Sequence, residues 1–220
     1  DKYTQYFMED LKWLKMIPAD IYPTATESIP KMISMIERLL EKGFAYREDD
    51  GSVYFNISSF PNYGRLTQIN ISEQRTGDRV MEDEYDKGVP QDFALWKGWK
   101  EEDGEVVWDA PWGRGRPGWH IECSAMSSES LGDNFDIHCG GVDNMFPHHE
   151  NEIAQSQCAT DQPFVNFWLH SEFLMLDGGK MSKSLGNYYR ISALKELGFT
   201  AESIRYQLLA GHYRSKITFS

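Results

Sequence analysis

The chain has 220 residues, 40% of them hydrophobic, and a formal net charge of −12. This composition is typical of a globular protein with one large or two small domains, and no apolar run is long enough to span a bilayer. Three cysteines without regular spacing argue against a disulfide framework and favour a reduced, cytoplasmic protein. The acidic balance gives no support to general nucleic-acid binding, although a local basic strip can act against it; its candidates are Arg114, Arg116, Lys180 and Lys183.

The first half of the chain predicts two helices and then short strands. Near-helical spacing of apolar residues predicts a helix over 3–16. A second helix, capped by Thr26 and ended by Gly43, has a core-facing stripe of Ile29, Met32, Ile33, Ile36, Leu39 and Leu40. The turn residues 49–51 predict a hairpin of strands 44–47 and 53–56.

The middle of the chain then changes character. Residues 57–88 are polar and predict a loop with short helical pieces, followed by strands over 93–97 and 106–108. Glycine and proline dominate 111–118. The remaining pattern alternates strands and helices, which is typical of a parallel sheet covered by helices. Its predicted elements are a helix over 119–130, a strand over 135–138, a loop over 139–143, a helix containing His148, a strand over 165–170, and helices over 191–197 and 201–210, the last capped by Thr200.

A His/Glu pair marks the centre of the candidate chemistry. His148 and Glu152 are four residues apart on the predicted helix, so both side chains share one face and can bind one metal ion. Pro147 suits the first turn of this helix. A solvated surface pair is the alternative interpretation. Cys123 lies upstream, and Cys, His and Glu are all acceptable zinc ligands; for Cys123 alone, the alternative is a small buried hydrophobic residue.

Three segments, taken together and in this order, resemble the cysteinyl-tRNA synthetases, a family of class I aminoacyl-tRNA synthetases. They are Gly-Trp-His-Ile-Glu-Cys-Ser-Ala-Met at 118–126, Phe-Pro-His-His-Glu-Asn-Glu-Ile-Ala-Gln at 146–155, and Lys-Met-Ser-Lys-Ser-Leu-Gly-Asn at 180–187. The last contains the KMSKS signature of class I enzymes. The resemblance covers nearly the whole chain, but the family's N-terminal part, with its HIGH motif, has no counterpart here.

The resemblance implies an α/β fold, the second half of a doubly wound, Rossmann-like catalytic domain. It divides the chain into a helix tail of the first catalytic half (1–20), an α+β connective insert (21–110), the second catalytic half with the zinc site and the KMSKS loop (111–186), and the start of a helical stem-contact region (187–220). The family's C-terminal anticodon-binding region is absent.

The resemblance also implies the site residues. Cys123, His148 and Glu152 are implied ligands of one Zn²⁺ that binds the thiolate of substrate cysteine, with a fourth family ligand, a cysteine near the enzyme's start, missing here. Trp119 is the implied floor of the cysteine pocket. His138 and Asp143 are expected to order that pocket and to hold the substrate ammonium, respectively.

The KMSKS loop is the implied ATP site. Lys180 and Lys183 are expected to neutralise the pyrophosphate leaving group, with Ser182 and Ser184 ordering the loop. Gly178–Asn187 is predicted to be mobile without ATP, because it has little apolar surface to bury. Cys139 stands where the family usually has glycine, and it either is reactive or tightens its loop. Cys158 is predicted to be a packing residue.

The implied function is ATP-dependent ligation of cysteine to its tRNA through cysteinyl-adenylate, in the cytoplasm, by an enzyme that is monomeric when full length. Mg²⁺ is expected with ATP. The 220 residues alone are expected to be inactive, because they contain no His-x-Gly-His segment. Two alternatives remain: a ligase that joins cysteine to an amino-sugar, as in mycothiol synthesis, and a truncated, non-catalytic paralogue that binds zinc or nucleotide.

Overall fold

The computed structural model of the chain describes residues 2–68, 92–176, 179–181 and 188–219. Contacts divide the chain into a terminal unit (Asp1–Tyr22, Cys139–Val142 and His170–Ser220) and a central unit (Pro23–His138 and Asp143–Leu169). Within the described ranges, every helix is too short or too polar to cross a membrane. The four-part division expected from the sequence stays a prediction, because contacts alone do not assign roles to segments.

The described residues form both helices and strands, which alternate over residues 119–171, and this confirms the mixed α/β fold class. The α-helices are α1 Lys2–Trp13, α2 Ile29–Glu41, α3 Trp119–Leu131, α4 Glu150–Thr160, α5 Ile191–Glu196 and α6 Ala201–Leu209. The strands are β1 Ala45–Arg47, β2 Val53–Phe55, β3 Phe93–Gly98, β4 Trp108–Ala110, β5 Gly113–Pro117, β6 Phe135–Gly141, β7 Val165–Ser171, β8 Leu174–Leu176, β9 Gly179–Lys180 and β10 Ile217–Phe219.

The central unit is a five-stranded antiparallel sheet with three helices beside it. The strand order is β1-β2-β3-β5-β4, and the predicted hairpin is confirmed by the pairing of Ala45 with Phe55. Helices α2, α3 and α4 contact one another. The predicted stripe of α2 is also confirmed, because Met32, Ile36 and Leu39 are fully buried and join Ile121 and Cys158 in one hydrophobic core.

Three details of the central unit differ from the prediction. Helix α2 begins at Ile29, with Ser28 rather than Thr26 at its N-cap, because a proline in its first turn fits where no N–H partner exists. Strand β4 begins at Trp108 rather than at 106. Strand β5 was not predicted at all, because its glycine-rich sequence lacks the β-branched and aromatic residues that indicate strands.

Glycines bring β5 and the start of α3 unusually close to β3. A Cβ atom at Gly118 would lie 2.1 Å from the carbonyl oxygen of Ala94, and one at Gly115 would lie 2.1 Å from that of Lys97. Such distances are impossible without moving backbone. The glycines therefore set how near α3 lies to the sheet.

Gly118→Ala is expected to lower the free energy of unfolding by about 1–3 kcal/mol, because the new methyl group must displace the backbone of β3. Urea unfolding followed by circular dichroism measures the loss. Gly43→Ala is the matched control: Gly43 has φ +76° but open space around it, so it reports only the conformational cost, about 1 kcal/mol. A smaller loss for Gly118→Ala than for Gly43→Ala would contradict the steric argument.

A lysine ties α2 to the C-terminus of α4. The Lys42 ammonium donates to the carbonyl oxygens of Cys158 (3.2 Å) and Ala159 (3.1 Å) and pairs with Asp161 at 2.6 Å. Terminal carbonyls of a helix have no partner within the helix and carry its partial negative charge. Lys42 therefore satisfies the end of α4 from a neighbouring helix.

The terminal unit contains a small sheet and three helices. Strand β8 pairs with β10 in parallel and with β9 in antiparallel orientation. The predicted cap of α6 is confirmed, because Thr200 accepts a hydrogen bond from the Ser203 N–H at 3.2 Å. Helix α1 has no buried residue, and Lys195 of α5 pairs with Asp10 at 3.3 Å. Strands β6 and β7 form a separate two-stranded sheet.

Candidate metal centre

The predicted His/Glu pair and the upstream cysteine meet where α3 lies against α4. Cys123 projects from α3, His148 lies in a π-helical turn at Met145–His149, and Glu152 lies in the first turn of α4. Their ligand atoms all lie within 4.8 Å of one another. The structure therefore brings the three predicted ligands together, although the helix begins at Glu150 rather than at Pro147.

Glu152 is the acidic member of this cluster. Its side chain is fully buried, yet neither carboxylate oxygen has a hydrogen-bond partner among the described residues. The nearest imidazole nitrogen, Nε2 of His148, lies 2.9 Å from Oε1, but the geometry is not that of a hydrogen bond. A buried carboxylate without compensation is costly. A cation bound between these two side chains would supply the missing compensation.

The donor set fits zinc and balances its charge. A thiolate, an imidazole and a carboxylate are common zinc ligands, and soft sulfur favours zinc over the hard cations calcium and magnesium. Cys123 as thiolate and Glu152 as carboxylate together carry two negative charges, which equal the charge of one divalent ion. The three ligands leave one tetrahedral position for a further group, as open zinc sites do.

A second group of potential ligands shares Glu152 with the first. It consists of His138, His149 and Glu152, and Nε2 of His138 lies 3.5 Å from Oε2 of Glu152. This group has no sulfur and no second anion, and aromatic rings surround it: Trp168 lies 4.8 Å from His138 and 4.9 Å from His149. A second divalent ion would leave excess positive charge in apolar surroundings, so one ion held by Cys123, His148 and Glu152 fits better.

Burial and neighbouring carboxylates perturb the titration of this cluster. They raise the pKa of Cys123 to about 12, burial most strongly and then the charges of Glu152 and Glu122. Burial lowers the pKa of His138 despite the opposing charge of Glu152, and the nearby His148 lowers it further. Without a cation, Cys123 is therefore a neutral thiol at neutral pH and His138 is a neutral imidazole.

An aromatic wall borders the metal-binding cluster. The Trp119 ring stacks on His148 at 4.4 Å between centroids and 22° between planes, and 53% of the Trp119 residue surface is exposed. Trp119 is thus a surface beside the ligands and not a core residue. His120 contacts His148 through their Nδ1 atoms at 2.8 Å. Sequence reasoning gave His120 no role, although its position three residues before Cys123 places both on one face of α3.

For the other predicted site residues among those described, the structure gives a position but no evidence of a role. Asp143 lies exposed in the turn Val142–Asn144 of the central unit, and its role stays a prediction. Lys180 ends β9. Ser182, Lys183 and Ser184 lie outside the described residues, and the mobility of the loop Gly178–Asn187 stays a prediction.

The structure also gives the positions of the remaining two cysteines and of the two arginines of the predicted basic strip. Cys158 is buried in the core, as predicted, and Cys139 is exposed on β6. Of the basic strip, Arg116 pairs with Asp103 at 2.9 Å and Arg114 lies 3.8 Å from Asp109. Carboxylates therefore balance these two arginines, so they do not form an isolated basic surface.

Comparison with known proteins gives consistent matches. The family described as "tRNA synthetases class I (C) catalytic domain" matches residues 1–220. Curated relatives named "Cysteine--tRNA ligase" include that of Chlamydia pneumoniae, 53% identical over 99% of the chain, and that of Brachyspira hyodysenteriae, 54% identical over 100%; the chain covers 46% of each. It thus spans about half the length of these relatives.

Among solved structures, one titled as a putative arginyl-tRNA synthetase from Campylobacter jejuni is similar to the chain, with a TM-score of 0.56 and 15% identity. The match covers 100% of the chain and 39% of that synthetase. At that identity the match shows the fold alone.

Proposed function

The chain belongs to the family of class I (C) tRNA synthetase catalytic domains, and from this membership we propose that the protein containing it is a cytoplasmic cysteine–tRNA ligase. The observation that carries the proposal is the convergence of Cys123, His148 and Glu152 around a buried carboxylate without hydrogen bonds. Such a cluster suits a protein that selects a substrate by its sulfur. The relatives' names support tRNA as the acceptor.

In this proposal, Cys123, His148 and Glu152 hold one Zn²⁺, which supplies a soft Lewis acid for the thiolate of substrate cysteine. Trp119 forms the wall along which the substrate lies, since its ring is exposed and fixed against His148. Asp143 accepts hydrogen bonds from the substrate ammonium, and His138 orders the pocket through its contact with Glu152. Serine is rejected, because a hydroxyl competes poorly for a soft metal position.

The chemistry proposed is activation followed by transfer. The cysteine carboxylate attacks the α-phosphate of ATP, and cysteinyl-adenylate and pyrophosphate form. A ribose hydroxyl at the tRNA 3′ end then attacks the carbonyl carbon and AMP leaves. Lys180 and Lys183 neutralise charge on the departing pyrophosphate, Ser182 and Ser184 order their loop, and Mg²⁺ accompanies ATP. The active form is expected to be a monomer.

Two measurements on the complete gene product test the proposal. Cysteine-dependent exchange of pyrophosphate into ATP is expected, with serine giving no more than background, followed by cysteine transfer to tRNA. Exchange without tRNA charging, but with amide formation to an amino-sugar, would favour the amino-sugar ligase instead. Zinc or ATP binding without exchange would identify a non-catalytic paralogue. The absence of both binding and exchange would overturn the proposal altogether.

A further inference from the structure

The two ring nitrogens of His148 face different partners. Nε2 lies 2.9 Å from Oε1 of Glu152, on the side of the metal-binding cluster. Nδ1 lies 2.8 Å from Nδ1 of His120, which is buried beside it at 5% exposure. The nitrogen available to a metal is therefore Nε2, and the opposite nitrogen is engaged by a second imidazole.

Metal binding through Nε2 decides where the protons lie. A coordinating nitrogen must offer its lone pair, so the one proton of neutral His148 sits on Nδ1. Two nitrogens at 2.8 Å share one proton, so Nδ1 of His120 must accept it. We infer that His120 is a positioning residue that fixes His148 in the Nδ1–H tautomer, with Nε2 free to bind metal; this inference rests on the proposed zinc site.

The surroundings hold His120 in place for this role. The edge of the Phe93 ring meets it at 5.8 Å and 90°, and Trp119 contacts both imidazoles. His120 and Cys123 also come from the same helix, α3. One helix thus presents a metal ligand and, one turn earlier, the acceptor that orients another. Outer hydrogen-bond partners of this kind typically change metal affinity by about 10–100-fold when they are removed.

Matched substitutions in the complete gene product test the acceptor. His120→Leu removes it and is expected to weaken zinc binding about 10–100-fold, measured by competition with a chromophoric chelator. His120→Asn keeps an oxygen near the Nδ1 position and is expected to stay within a few-fold of the wild type. Ser124→Ala is the control for loosened helices, because the Ser124 hydroxyl joins α3 to Gln155 of α4 at 2.6 Å and meets His120 only at its backbone carbonyl, at 3.4 Å. Equal zinc affinity in His120→Leu and the wild type would overturn the inference.

Nitrogen-15 NMR of the imidazoles tests the tautomer without any substitution, so a variant that fails to fold leaves the inference testable. The expected result is a protonated Nδ1 on His148 and a zinc-dependent shift at its Nε2. A protonated Nε2, or a zinc-dependent shift at Nδ1, would overturn the inference while leaving the zinc site standing. Failure of the wild-type protein to bind zinc at all would instead overturn the proposed site, and the inference with it.

Discussion

Cys123→Ser is expected to abolish stoichiometric zinc binding, with a loss of affinity of at least about 100-fold, more than that typical of outer-shell changes. Serine retains the shape of cysteine but replaces a soft sulfur ligand by a hydroxyl that stays protonated at neutral pH. Cobalt substitution gives a direct readout, because a cysteine ligand produces a sulfur-to-cobalt charge-transfer band that the variant must lack. Cysteine-dependent pyrophosphate exchange is expected to fall with it.

Cys139→Ser provides the control, since that cysteine is exposed on β6. It is expected to bind zinc as the wild type does, and the opposite ranking of the two variants would contradict the assignment. The raised pKa of Cys123, about 12, adds a pH signature. Below that pKa each metal must displace the thiol proton, so zinc affinity is expected to rise by up to about tenfold per pH unit.

Glu150→Ala is expected to lower the free energy of unfolding by about 3–5 kcal/mol, because it removes several charge-assisted hydrogen bonds at a buried position. The Glu150 carboxylate accepts from the N–H groups of Gly64 (2.9 Å), Leu66 (3.3 Å) and Thr67 (3.1 Å), and from the Thr67 hydroxyl at 3.0 Å. The residue is 1% exposed. Its loss leaves these donors without their acceptor.

Urea unfolding of zinc-loaded and zinc-free protein measures this effect. Glu202→Ala is the matched control, since Glu202 is also an acidic residue in the first turn of a helix but pairs with Lys15 at the surface. A much smaller change is expected there. Glu150→Gln is expected to be intermediate, because an amide keeps one acceptor oxygen while its NH₂ group faces a donor. Equal stability of the Glu150→Ala and Glu202→Ala proteins would contradict the buried-acceptor argument.

The sequence predicts those parts of the molecule whose cause is local. The stripe of α2 follows from the helical period, and the hairpin of β1 and β2 follows from its turn residues. The four-residue spacing of His148 and Glu152 brings their side chains together, although His148 lies in the turn before α4. Cys123 could be added only through the resemblance, because nothing in residues 119–131 alone indicates which side chains α4 will meet.

The parts that sequence reasoning missed depend on distant partners. Glu150 looks like an ordinary polar helix residue until the backbone donors of 64–67 surround it. Strand β5 exists because glycine allows close approach to β3, which no propensity scale records. His120 needed the position of His148, 28 residues later, before its ring nitrogen had a partner.

Helix α4 is held at both ends by other parts of the central unit. Backbone N–H groups of loop 64–67 donate to Glu150 at its start, and Lys42 donates to carbonyl oxygens of its last turn. Fraying of this helix must break the buried hydrogen bonds of Glu150 at one end or the partly buried hydrogen bonds of Lys42 at the other. Its amide protons are therefore expected to exchange with solvent more slowly than those of α1, which buries no side chain and can open locally at low cost. Glu152, the one proposed metal ligand that α4 carries, is therefore expected to stand on a slowly exchanging helix.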